Sequence, residues 1–253
     1  MDIAERTLQL KADFDAVYES GKKTRDKEWW STYLAPMRNG NPSNYAFAGP
    51  SWNGNTFYPT EDIVPKENAS NMFNRFSWNA SGISRIDLDK RLKDCGVVLD
   101  ISNVSAVQAM FSYAFITRVP ILNCNSTRYT SLTDLFNNAK YLVTIDEIII
   151  RNDGTNTFSD AFTGCTALKN VKFTGVIGRS ISFSDCPLSV ESLKSIITCL
   201  KDYTGGSEYS YTLTLKSSAF SALDAEGATA EYNGVACTWA ELIDNKKWNL
   251  TLA

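Results

Sequence analysis

Apolar residues recur along this chain with more than one rhythm. Over residues 3–20 the spacing is heptad-like: Ile3, Leu10 and Val17 recur every seven residues, with Thr7 and Phe14 on adjoining positions and Gly21 as a stop. This predicts an amphipathic helix that either packs on its own domain or joins a short oligomerising coil. From residue 99 the period lengthens. Phe111, Phe136, Phe162 and Phe183 stand 25, 26 and 21 residues apart. Four residues before the first three stand Val107, Leu132 and Phe158, and one before stand Met110, Leu135 and Ala161. Three after all four stand Ala114, Ala139, Cys165 and Cys186. Ile116, Leu142, Leu168 and Leu188 follow, then apolar runs led by Val119/Ile121, Ile145/Ile148 and Val171/Phe173. The unit reads as a short helix or turn ending at Phe, a tight small-residue corner, and a strand. A period in this range predicts an α/β solenoid whose parallel strands pair from one unit to the next. Phe73 with Ile83, Ile86 and Leu88 reads as a first unit stretched by an insertion.

Flanking segments look different. Residues 28–80 hold Trp29, Trp30, Trp52 and Trp78 among Tyr33, Tyr45, Phe47, Phe57, Tyr58, Phe73 and Phe76, interleaved with Asn, Gly and Pro. That composition is turn-rich and held by aromatic packing, either as a cap over the end of the repeats or as a sugar-binding platform. After the repeats, Val190, Leu193, Ile196, Ile197, Leu200 and Tyr203 share one helical face over 189–203, and Gly205-Gly206 ends that helix. Tyr209–Leu215 alternates as a strand, Thr238 caps a second helix through Ile243, and Trp248–Leu252 reads as a last strand. The expected organisation is a helical anchor or oligomerisation segment over 1–35, an aromatic cap with the first degenerate unit over 36–98, the repeats over 99–190, and a helix-plus-strand cap over 191–253.

Composition narrows the chemistry. With 25 Lys and Arg against 28 Asp and Glu, the net charge is -3, which argues against a nucleic-acid partner. The chain has no histidine, so it cannot supply a Ser-His-Asp or Cys-His pair or an imidazole base. Six cysteines without a Cys-x-x-Cys pair give no zinc-site pattern, and no metal or cofactor is expected. Cys165 and Cys186 occupy the slot of Ala114 and Ala139, and read as small, buried, free thiols. No apolar run suffices for a membrane span. The charged start, Met1 to Arg6, lacks the apolar core of a signal peptide, so synthesis in a cytoplasm without signal-peptide export is the expectation.

The segment Phe162-Thr163-Gly164-Cys165-Thr166-Ala167-Leu168-Lys169-Asn170-Val171-Lys172-Phe173 resembles the Phe-x-x-Cys-x-x-Leu-x-x-Ile unit of BspA-type leucine-rich repeat proteins, and degenerate copies lie around Phe111 and Phe136. The Leu-x-x-Leu-x-Leu-x-x-Asn core of better-known leucine-rich repeats is absent, and the repeat lengths vary. The segment running from Asn44-Tyr45-Ala46-Phe47-Ala48-Gly49 to Phe57-Tyr58-Pro59-Thr60-Glu61-Asp62-Ile63-Val64 looks like the front end of a subgroup found in phages and prophages of gut bacteria, where such proteins serve as minor structural proteins. The resemblance implies an irregular leucine-rich-repeat solenoid with an adhesive or structural role and no catalytic residues.

The function expected is therefore that of a non-enzymatic, virion-associated structural protein, such as a tail or head fibre. It would be made in the host cytoplasm, and its repeats would contact other virion proteins or a host-surface protein or glycan. The short heptad pattern is compatible with a homotrimer. The alternative is a bacterial cell-surface adhesin of the same repeat class. An enzyme would need a carboxylate pair, but Asp146 and Glu147 precede the strand Ile148-Ile149-Ile150 as neighbours expected to face opposite sides, and Asp153-Gly154 reads as a turn. Ser20 and Lys23 match a Ser-x-x-Lys pattern by letter only. Two candidate binding surfaces remain: Asn123, Asn125, Arg128 and Arg151 beside the strands, and the aromatic region around Trp52 and Tyr58.

Overall fold

A computed structural model describes residues 69–71, 74, 98–114, 116–119, 121–205 and 211–253. The expected helix over 3–20 lies outside the described residues, as do Trp52, Tyr58 and nearly all of the aromatic segment.

Around Phe111, Phe136 and Phe162 the chain forms turns, not helices, and backbone handedness explains the choice. The residues two before and two after each Phe have positive φ: Ala109 and Tyr113, Asp134 and Asn138, Asp160 and Gly164, all between 50° and 73°. Left-handed residues four apart cannot sit in a right-handed helix. Each turn is closed instead by the small residue three past the Phe, whose N–H donates to the Phe carbonyl: Ala114 to Phe111 at 3.1 Å, Ala139 to Phe136 at 2.9 Å, Cys165 to Phe162 at 3.2 Å. Ala114, Ala139 and Cys165 are buried, so the corner has no room for a larger side chain.

Successive turns then pair through every second residue. Asp134 N donates to Ser159 O at 2.9 Å, Phe136 N to Ala161 O at 2.9 Å and Asn138 N to Thr163 O at 2.7 Å; Ala109, Phe111 and Tyr113 donate to Thr133, Leu135 and Asn137 in the same way. Buried backbone polar groups must find partners, and here the next unit supplies them. Between the turns the rings of Phe111, Phe136, Phe162 and Phe183 form a continuous column, with successive centroids 5.3, 5.7 and 4.6 Å apart. Aromatic contacts of this kind add about 0.5–1.5 kcal/mol each beyond the area they bury. The pattern continues toward the N-terminus: Ala69 N donates to Ala106 O and Asn71 N to Gln108 O, both at 2.9 Å, and Asn71 has a φ of 56°. Asn71 thus repeats the place of Ala109 and Asp134, while Phe73, Ile83, Ile86 and Leu88 of the expected first unit lie outside the described residues.

The strands follow the turns. β1 (Val98–Asp100), β2 (Arg118–Val119), β3 (Ile121–Asn123), β4 (Thr144–Ile149) and β5 (Asn170–Thr174) form one parallel sheet in which β4 pairs with β2, β3 and β5, and β3 with β1. A second parallel sheet has the order β10-β7-β6, from β6 (Ile181–Phe183), β7 (Tyr211–Leu215) and β10 (Trp248–Leu252). The fold is mixed helix and strand, with three helices among the described residues and neither sheet closed into a barrel. Phe183 departs from the expected order: it ends the strand β6, where the other three phenylalanines precede a strand.

In the place of a further strand beside β5 the chain forms α1 (Val190–Cys199), capped by Ser189. Its apolar face buries Leu193, Ile196 and Ile197. Ser192 Oγ accepts from Val171 N at 2.9 Å and donates to Lys169 O at 3.1 Å; Ser195 Oγ accepts from Phe173 N at 3.0 Å; Cys199 Sγ donates to Phe173 O at 3.4 Å. A row of side chains one and two turns apart thus satisfies the edge of β5, which would otherwise be open to pairing with another chain. α1 ends at Cys199, earlier than the expected 203, because Leu200 turns extended and bridges Ile177. Lys246 Nζ donates to the carbonyls of Ile197, Thr198 and Leu200 at 3.1, 2.9 and 3.0 Å, filling orphan acceptors at the helix end.

The C-terminal part is larger than a helix plus a strand. The expected Thr238 cap is present on α3 (Trp239–Asn245), as a capping box with Glu241. Two unexpected elements precede it: α2 (Ser217–Asp224) and the hairpin of β8 (Ala230–Tyr232) with β9 (Val235–Cys237). The hairpin turn is Asn233-Gly234, both with positive φ, a strong sequence signal for a two-residue hairpin that the apolar spacing overshadows.

Comparison between units generates a prediction. Asn71, Asp134 and Asp160 tolerate the left-handed position and accept a hydrogen bond from Asn74, Asn137 and Thr163, whereas Ala109 does neither. Ala109→Asn should stabilise the fold by about 0.5–1 kcal/mol, part of the roughly 1–2 kcal/mol that a left-handed residue costs. Urea denaturation measures it, and a loss of stability would contradict the equivalence of the turns.

Candidate functional site

Two polar regions stand out among the described residues. The first is the edge of the stack where β1, β3 and β4 end. Asp100 and Asn123 are partners in the parallel register, and the Asn123 amide donates to Asp100 Oδ1 at 3.0 Å while its oxygen accepts from Asn125 N at 3.1 Å. Arg128 donates to Asn103 O at 2.6 Å, and Arg151 donates to Ser126 O. Each arginine therefore reaches back 25 residues to the preceding unit. Arg151 also grips Asp153 through Nε, at 2.9 and 3.1 Å to the two carboxylate oxygens, and Lys201 Nζ donates to Asp153 O at 3.3 Å. The Arg151 guanidinium and the Thr155 hydroxyl hold the Asp153 carboxyl well below the usual carboxylate range.

The structure thus brings Asn123, Asn125, Arg128 and Arg151 together along one edge, and joins Asn123, Arg128 and Arg151 to neighbouring units by hydrogen bonds. Their first task is architectural. Asp153-Gly154 forms the expected turn, with Gly154 at a φ of 74°.

The second region is a groove of about 570 Å³ between the outer face of the first sheet and α1. Thr144, Asp146, Asn170 and Lys172 form its sheet side; Glu191, Lys194, Ser195 and Thr198 form its helix side. Here the expectation for the carboxylates needs correcting. Asp146 and Glu147 lie inside β4, and a bulge shifts its register to β5 between Ile145 and Ile148. Because of that extra residue, Ile145 and Ile148 are both buried, and the two carboxylates between them are both part-exposed instead of alternating. They remain separate in chemistry: Asp146 pairs with Arg118, whereas Glu147 pairs with Lys172 at 3.0 Å and accepts from the Thr174 hydroxyl. Partial burial pushes the Glu147 carboxyl up, but Thr174 and Lys172 outweigh it and hold it below its ordinary value. Lys194 is shared between Glu226 at 2.8 Å and Glu191 at 3.5 Å.

The five described cysteines are free. Cys165 and Cys186 are buried as expected; their thiols donate to Phe136 O at 3.1 Å and Phe162 O at 3.6 Å, so each sulfur reaches back one unit. Burial pushes the Cys165 thiol up to about 12 and raises that of Cys186, which removes nucleophilic thiolate from both.

Sequence reasoning missed the groove because it is lined by three separate stretches of chain, around 144–146, 170–173 and 189–199, and by polar positions of β4 and β5 that carry no motif. The alternating Asn170, Lys172 and Thr174 were the available signal. No described helix is long and apolar enough to cross a membrane. Comparison with family models, with curated proteins and with solved structures finds no significant match to the chain.

The Glu147 geometry sets a pH dependence. Its carboxyl ionises more readily folded than unfolded, so the stability it adds is complete above the ordinary Glu value of about 4.3 and is lost as pH falls through its lower folded value. Glu147→Gln should therefore lose less thermal stability than the parent between about pH 6 and about pH 3. Equal losses in calorimetry would mean that the pair with Lys172 and Thr174 contributes nothing.

Proposed function

We propose that the chain is a non-enzymatic recognition and assembly protein, an irregular leucine-rich-repeat solenoid carried as a structural component of a phage particle. The observation that carries the proposal is the recurrence, from unit to unit, of the same turn, backbone pairing and Phe column around Phe111, Phe136 and Phe162. A stack of this kind presents an extended polar surface, which suits contact with a neighbouring subunit or a host surface better than it suits enclosure of a small substrate. The engagement of Asp146 with Arg118, and of Glu147 with Lys172, supports a structural use for the two most prominent carboxylates.

The particle assignment rests on the resemblance of Asn44 to Val64 to the front end of phage minor structural proteins. Trp52 and Tyr58, inside that segment, are the positions proposed to bind or anchor. The Phe162-to-Phe173 unit also favours a second reading, a bacterial cell-surface adhesin built from the same repeat.

Fractionation separates the two. Mass spectrometry of density-gradient fractions from an induced culture of the source organism should find the protein co-migrating with capsid protein in constant ratio. Recovery with cell envelopes, away from particles, would overturn the particle assignment and leave the adhesin.

A further inference from the structure

The parallel sheet β10-β7-β6 has two outer edges, and they are treated differently. At one of them β6 is three residues long, and the side chains just after it reach back to the preceding unit: Asp185 accepts from Gly164 N and the Cys186 thiol donates to Phe162 O. At the other, β10 pairs with β7 in unbroken register from Trp248 to Leu252. Ala253 N donates to Leu215 O and accepts at its carbonyl from Ser217 N, so Ala253, Thr251 and Asn249 aim their backbone groups at β7. The role alternates along a parallel ladder, which turns the N–H and C=O groups of Leu250 and Leu252 to the outside. Among the described residues no strand pairs with them. Natural sheets blunt an open edge with Lys, Pro or a bulge, and Trp248-Asn249-Leu250-Thr251-Leu252 contains none of these. Trp248 is buried, but Asn249, Thr251 and Leu252 are exposed, Leu252 by 48%.

We propose that β10 pairs antiparallel with β10 of a second copy of this chain, about a two-fold axis at Thr251. The strand is self-complementary in that register. Leu250 of each copy stands opposite Leu252 of the other, and each such pair exchanges its outward N–H and C=O groups as a hydrogen-bonded pair. On the core side the exposed Leu252 packs on the half-buried Leu250 of the second copy, so the apolar layer continues across the axis. On the opposite face Thr251 meets its own counterpart, a favourable cross-strand contact between hydroxyl side chains. A register centred on Leu250 would instead engage the backbone of Trp248, which is 1% exposed and closed to a second chain. A two-fold contact uses the same patch on both copies and closes on itself, so it seals the edge without building a filament. So short a ribbon buries less than the roughly 800 Å² per partner of a standard interface, which makes the pairing concentration-dependent and not permanent. It goes beyond the recognition reading and holds on a particle or on an envelope alike.

The test places a thiol on the axis and another off it, in the full chain. In Thr251→Cys the new thiols face each other across a non-hydrogen-bonded pair, with Cα atoms about 4.5 Å apart, within reach of a disulfide. In Asn249→Cys they stand roughly 14 Å apart, too far to join. With oxidised glutathione, Thr251→Cys should give a disulfide-linked dimer, Asn249→Cys no more than the parent treated alongside, and Thr251→Cys combined with Leu252→Lys should lose the cross-link. Sedimentation velocity of the reduced proteins supplies a second readout: the parent should show a self-association step that Leu252→Lys weakens by about tenfold or more. The urea midpoint of Leu252→Lys should stay close to the parent's, since the substituted side chain is already half exposed. No cross-link in Thr251→Cys, equal cross-linking in Asn249→Cys, or self-association indifferent to Leu252→Lys would overturn the pairing.

Discussion

The fold depends on one backbone constraint, a left-handed residue on each side of a buried phenylalanine. That pair prevents a helix, turns the chain in a few residues, and aims alternate N–H groups of Ala109–Tyr113 and Asp134–Asn138 at the unit that follows. Most of the rest can be read as its consequence. The Phe column forms because the turns lie in register; the corner must be Ala or Cys because the turn leaves no space; the strands come out parallel because each unit repeats the direction of the last. A single unit could satisfy neither its amides nor its ring faces.

Ending such a stack is a separate physical problem, and the chain meets it with side chains. Asp185 Oδ2 accepts from Gly164 N at 2.8 Å, in the role that the carbonyls of Asn137 and Thr163 play for Tyr113 and Asn138. Ser192, Ser195 and Cys199 of α1 meet the exposed polar groups of β5. Lys246 in turn covers the carbonyl end of α1, although burial lowers its pKa. One sheet is closed by a helix, and the helix by an ammonium group.

Much of this could be read from the residues alone, and the exceptions have physical causes. The unit, the buried Cys165 and Cys186, the strand Val171 to Phe173 and the Thr238 cap follow from spacing, because core positions and caps constrain residue type directly. The bulge in β4 does not follow, since Asp146 and Glu147 carry no mark of an added residue and alternation is the default. The serines of α1 look like ordinary polar helix residues until the strand edge beside them is seen. For the candidate surfaces the balance is reversed: Asn123, Arg128 and Arg151 lie along one edge, where their hydrogen bonds serve the stack, and spacing gives no sign of that use.

The central claim is that the units stabilise one another through this pairing, and amide hydrogen exchange tests it most directly. In the parent, the amides of Phe111, Asp134, Phe136 and Asn138 should exchange slowly and with a common opening free energy. In Phe136→Ala, protection should fall together in the turn before and the turn after, at Phe111 and at Gly164, because both turns lean on the missing ring. Loss confined to the mutated turn, or rapid exchange at these amides in the parent, would contradict the account.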